Sequence, residues 1–121
     1  MGGNVYFSPG AVLDMLFPQL ITLEDEAVLG MEAMIVAHIY TPDKIVIGRA
    51  LVGRKGLVGG KAILAVTRIG EKGVLAANSY TVTPIPDGHV GIGVPAVVRK
   101  RNAEVPEKAF DNGEDDDDQR A

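Results

Sequence analysis

Aliphatic residues recur at every sixth position along much of this chain, and few folds tolerate that period. Leu23, Leu29 and Ile35 stand six apart, Val52, Val58 and Leu64 repeat the interval, and Ile69, Leu75 and Thr81 repeat it again. Phe7 and Leu13 form an earlier, weaker pair. The register slips by one between Leu64 and Ile69, and by one between Ile47 and Val52. An amphipathic helix needs apolar residues at i, i+3, i+4 and i+7. Stretches such as VGRKGLVGGK fail that test, and their glycines are poor helix formers. Plain strand alternation has a period of two and does not generate six. The spacing predicts an all-β chain of short strands and tight turns, three strands to a coil of about 18 residues, with one aliphatic side chain per strand stacked in an inward column. A β-sandwich or barrel would reach this register only by coincidence. Gly30, Gly48, Gly53, Gly59, Gly70 and Ala76 follow the anchors, where a bulky side chain would crowd the corner or a positive φ is required.

Composition agrees with stacked small layers. Apolar residues make up 46% of the chain, yet aromatics are only 5% and Trp is absent. The 121 residues allow one domain with one modest core. Without cysteine, disulfides, Cys-based zinc sites and a thiol nucleophile are excluded. No apolar run approaches the roughly 18 residues of a membrane helix, and no secretory leader is evident, so the expected location is cytoplasmic. The net charge of −4 is unevenly spread. Residues 102–121 hold eight acids against two bases, whereas residues 1–101 hold ten bases against eight acids. The division predicted is a repeat domain over 1–101 and an acidic tail over 102–121. EVPEKAF is expected to form a short helix, and the rest of the tail to be solvated. A nearly neutral body is no nucleic-acid stripe.

The ordered pieces Ile69-Gly70, Ala77-Asn78-Ser79, Ile85-Pro86 and Gly93-Val94-Pro95-Ala96 resemble the closing coil of the hexapeptide-repeat acyltransferases, and ITLEDEAVLGMEAMIVAH resembles an earlier coil of that family. The relatives in view are the maltose, galactoside and xenobiotic O-acetyltransferases, and the resemblance covers roughly residues 4–101. It implies a left-handed parallel β-helix, a homotrimer with active sites between subunits, and acetyl-CoA as acyl donor to a hydroxyl or amine of a small, sugar-like acceptor. From the charge, the apolar runs and the histidine count, neither a metal nor a nucleic-acid or membrane partner is expected. Against the family, the chain is expected to lack a helical N-terminal segment and to have little room for a loop over the active site.

Position alone makes His38, in IVAHIYTPD, a turn-capping histidine; the resemblance makes it the general base, a role that neutral imidazole fills near pH 7. By the same resemblance, Gly60 and Ala77 face the pantetheine arm of acetyl-CoA and Lys100 meets its phosphates. Val82 replaces a frequent Thr, and Val97 a frequent Lys or Arg. Asp14 and Tyr40 are expected at the acceptor; the Asn that usually precedes Asp14 has no counterpart in YFSPG. Met34 is explained by core packing. His89 reads as a surface residue. Only two histidines are present, which argues against the related gamma-type carbonic anhydrases, whose metal takes three. A non-catalytic β-helix that serves as an assembly subunit is the remaining alternative.

Overall fold

A computed structural model describes residues 1–100; the predicted tail and its short helix lie outside the described residues, as does Arg101. The chain winds into a left-handed parallel β-helix. Its first coil is formed by β1 (Tyr6–Phe7), β2 (Val12–Leu13) and β3 (Ile21–Leu23), with a 3-10 turn over Pro18–Leu20 before β3. The second holds β4 (Val28–Leu29) and β5 (Met34–Val36), leaves the helix as a hairpin of β6 (His38–Tyr40) and β7 (Ile45–Ile47), and returns at β8 (Ala50–Val52). The third comprises β9 (Leu57–Val58), β10 (Ile63–Ala65) and β11 (Arg68–Ile69). The fourth has β12 (Val74–Leu75), β13 (Tyr80–Thr81) and a single bridge at Ile85. An antiparallel pair, β14 (His89–Gly93) and β15 (Ala96–Lys100), ends the described chain and joins the face of β1, β4, β9 and β12.

Three inward columns follow from the strand register. Phe7, Leu29, Val58 and Leu75 stack on the first face. Leu13, Ile35, Leu64 and Thr81 stack on the second, and Leu23, Val52, Ile69 and Ile85 on the third. All of these except Phe7 and Leu13 are buried. Phe7, in the outermost strand of its sheet among the described residues, is 47% exposed. Thr81 brings a hydroxyl into a core column, and it is satisfied locally: its Oγ1–H donates to the Thr83 carbonyl at 2.8 Å.

The corners explain the small residues. Gly59 opens a turn closed by the Ala62 N–H donating to the Gly59 carbonyl at 3.1 Å. A Cβ on Gly59 would stand 2.6 Å from the Ala77 nitrogen of the next coil, so this corner stacks closely only with glycine there. Positive φ falls elsewhere, two residues further on, at Glu26, Glu32, Lys55, Lys61, Lys72 and Asn78. Opposite charges stack at these positions, Glu26 on Lys55 at 3.6 Å and Glu32 on Lys61 at 3.8 Å, all solvent-exposed and each contributing under about 1 kcal/mol.

Candidate active site

Stacking brings two distant residues together. Leu13 pairs with Ile35, so Asp14, the next residue, comes beside the end of β5, where the second coil turns outward through Ala37 and His38. The Asp14 N–H donates to the Ile35 carbonyl at 2.8 Å and fixes that level. The Asp14 side chain is completely buried. Its Oδ1 accepts the N–H groups of Leu16 at 2.8 Å and Phe17 at 3.1 Å, a local turn that short acidic side chains form readily. Its Oδ2 accepts the Ala37 N–H at 2.7 Å and faces His38 Nδ1 at 2.5 Å. Burial by itself raises the carboxyl pKa. The hydrogen bonds from Ala37, Phe17, His38 and Leu16 outweigh it and hold Asp14 at about 2, below the ordinary 3.8.

An ionised carboxylate only accepts, so Nδ1 of His38 carries the proton and donates it to Oδ2. In the neutral ring this leaves the lone pair on Nε2, directed away from the carboxylate. Carboxylate–imidazole pairs of this kind fix both tautomer and ring orientation. The imidazole is 18% exposed and is flanked by two rings, Phe17 at 5.6 Å between centroids and Tyr40 at 5.2 Å, both edge-on. The site is therefore a buried anion and a part-exposed histidine of defined polarity, its basic nitrogen on the ring edge away from that anion. Phe17 was not singled out in the sequence. Its signal is the run DMLFP, in which an Asp collects the N–H groups two and three residues on.

Asp14, expected beside the acceptor, lies behind the imidazole with both oxygens engaged by the protein. Tyr40 is exposed and next to His38, whereas Met34 lies in β5 between Val12 and Ile63, partly buried. Gly60 and Ala77 occupy equivalent positions on successive coils, at the corner beyond β9 and β12, where the Asn78 N–H donates to the Gly60 carbonyl at 2.9 Å. Ala77 is exposed. Lys100 pairs with His89 at one end of the β14–β15 ladder, while the other end, at Gly93, is bonded to Ser79 near the Ala77 corner. Lys100 and Ala77 are thus a ladder's length apart on one chain. Val82 and Val97 are exposed. His89 donates Nδ1–H to the Asp87 carbonyl at 2.9 Å, and no group of three potential metal ligands occurs among the described residues. Two open concavities among the described residues lie about Met1, Gly3, Asp25 and Arg54, and neither is lined by Asp14 or His38.

No family model matches the sequence. Over 89 residues the chain is 28% identical to "Putative acetyltransferase YvoF" of Bacillus subtilis (strain 168), an alignment covering 73% of this chain and 52% of that protein. Among solved structures, a GDP-perosamine N-acetyltransferase from Caulobacter crescentus in complex with CoA and GDP-perosamine gives a TM-score of 0.66 at 22% identity, covering 84% of this chain and 41% of that one. A hexapeptide-repeat acetyltransferase from Vibrio cholerae O1 biovar eltor, complexed with acetyl-CoA, gives 0.65 at 17% identity over 84% of this chain and 67% of its own. A galactoside acetyltransferase in complex with CoA gives 0.64 at 19% identity over 84% and 62%. This chain has the fold of the hexapeptide-repeat acetyltransferases. It spans about half the length of the curated relative it matches. Relative to the fold's bare coil, its distinguishing additions are the 14–20 excursion and the His38–Ile47 hairpin, and the site lies where the two meet. No helix among the described residues is long and apolar enough to cross a membrane.

Proposed function

We propose that the chain is an acetyl-CoA-dependent acetyltransferase acting on a hydroxyl or amine of a small molecule, with His38 as general base. The observation that carries this reading is the buried Asp14 carboxylate bonded to Nδ1 of His38, which leaves the lone pair on Nε2, on the ring edge away from that anion. A scaffold could hold the 14–17 turn with the backbone hydrogen bonds of Asp14 alone and has no use for an oriented imidazole. In the transfer, Nε2 takes the acceptor's proton as its oxygen or nitrogen bonds to the thioester carbonyl carbon. The C–S bond then breaks, and the imidazolium returns the proton to the departing CoA thiolate. Asp14 stabilises the transient imidazolium and holds the ring in place.

Gly60 and Ala77 suit a pantetheine arm because, as small residues at equivalent corners of successive coils, they add little bulk there. Lys100, on the far end of β15, serves in this reading a CoA held against a neighbouring copy, which accords with a homotrimer whose clefts are shared. The sugars acetylated by relatives form the first acceptor panel, and a cytoplasmic location goes with intracellular acetyl-CoA as donor. Incubating the protein with acetyl-CoA and a panel of sugars and amines should release CoA in an acceptor-dependent manner. His38→Ala should lower the rate by roughly 10²–10⁴-fold without unfolding the chain. Undiminished release by that variant would remove His38 from the mechanism.

A further inference from the structure

The hairpin carrying His38 is apolar on both faces, Ile39 and Val46 forming one, and the imidazole belongs to the other. β6 and β7 pair antiparallel, with His38 opposite Ile47, Ile39 opposite Val46 and Tyr40 opposite Ile45. Side chains directly opposite share a face, and every second residue along a strand returns to it. His38, Tyr40, Ile45 and Ile47 therefore stand on one side, as the His38–Tyr40 ring contact requires. Three of these four are apolar or aromatic groups left in the open, Tyr40 at 68%, Ile45 at 39% and Ile47 at 48% exposure. Phe17 also packs edge-on against the imidazole. The hairpin's charged residues, Asp43 and Lys44, sit in its turn, which Thr41 holds shut by accepting the Lys44 N–H at 3.1 Å.

A polyhydroxylated acceptor needs a polar partner for each hydroxyl it desolvates, and an unmatched one costs binding. Aliphatic and aromatic surface running up to the imidazole selects the opposite kind of molecule. We infer that the acceptor is an alcohol or amine with an apolar, aliphatic or aromatic body, which lies on the Tyr40–Ile45–Ile47 face while its hydroxyl or amine meets Nε2 of His38. This rests on the acetyltransferase reading and narrows its substrate class away from sugars.

The test uses the full chain labelled with nitrogen-15 in histidine, its two imidazoles told apart with His89→Asn. Addition of 2-phenylethanol should shift the His38 ring signals saturably, and methyl β-galactoside at equal concentration should not. The double variant I45S/I47S should weaken 2-phenylethanol binding roughly tenfold or more, since it strips apolar area from the contact. With acetyl-CoA present, kcat/KM for 2-phenylethanol should exceed that for the galactoside at least tenfold. Equal or stronger shifts with the sugar, no shift with either, or unchanged affinity in I45S/I47S would overturn the inference. So would dissociation of an oligomer by I45S/I47S, because the face would then belong to a contact between copies. Saturable binding of 2-phenylethanol without acetyl transfer would sustain the surface and defeat the enzyme reading; transfer to sugars alone would do the reverse.

Discussion

Replacing Asp14 by Asn preserves shape and removes the charge on which the site is built. The carboxylate accepts four hydrogen bonds, from Leu16, Phe17, Ala37 and His38. An amide has one acceptor oxygen. If that oxygen keeps Leu16 and Phe17, the NH₂ group meets the buried Ala37 N–H, donor against donor. The imidazole must then present a bare Nδ1 to the amide, which moves the ring proton to Nε2 and removes the base. The lost acceptor for Ala37 costs about 1–3 kcal/mol. The charge can be sized separately. Asp14 is held at about 2 instead of 3.8, and at about 1.4 kcal/mol per tenfold this is about 2 kcal/mol. Because the folded-state pKa is the lower one, that stability is fully present above pH 3.8 and is lost as pH falls toward 2. The two figures describe overlapping hydrogen bonds, so Asp14→Asn should cost about 2–3 kcal/mol at pH 7 and lower Tm by roughly 10–20 °C. Acetyl transfer should fall about 10³-fold or more. Urea unfolding of both proteins between pH 7 and pH 2 provides the assay, and their stability gap should narrow between pH 4 and pH 2. A gap that stays constant, or an Asn variant with most of its turnover, would refute the reasoning.

Other substitutions probe the coil itself. Gly59→Ala places a Cβ against backbone atoms of Leu75, Ala76 and Ala77 that cannot withdraw, so a loss of about 1–3 kcal/mol is expected in chemical denaturation. Leu64→Ala empties a fully buried position of the second column and should cost about 2–5 kcal/mol by the same measurement. Arg54→Ala breaks the 2.7 Å pair with Glu71, whose partners are each 46% exposed; the cost should stay under about 1 kcal/mol and vanish in high salt.

The coil was legible in the sequence because each strand supplies one inward residue and the turns between them have fixed length. Leu23, Leu29, Ile35, Val52, Val58, Leu64, Ile69, Leu75 and Thr81 were all picked out by spacing, and all are buried. Ile85 is equally buried yet escapes the count, since the last turn brings it in four residues after Thr81. Ile47 looked like an anchor one residue out of register. It belongs to a hairpin, where aliphatic residues stand in solvent, and composition alone does not separate an apolar excursion from an apolar rung. The Asp14–His38 pair was hidden for a different reason: 24 residues separate the two, and only the coil-on-coil register of Leu13 with Ile35 brings them together. That register was within reach of the six-residue spacing, but the loops after Asp14 and at His38 obscure how many residues one coil contains.

The claim on which the chemistry stands is that a buried anion decides which nitrogen of His38 carries the proton. Nitrogen-15 NMR of the imidazole near pH 8 reads this directly through one-bond coupling to hydrogen. A protonated Nδ1 and a bare Nε2 are expected, with the assignment reversed in Asp14→Asn. A wild-type ring protonated at Nε2, or one averaging freely between its two neutral forms, would contradict the account.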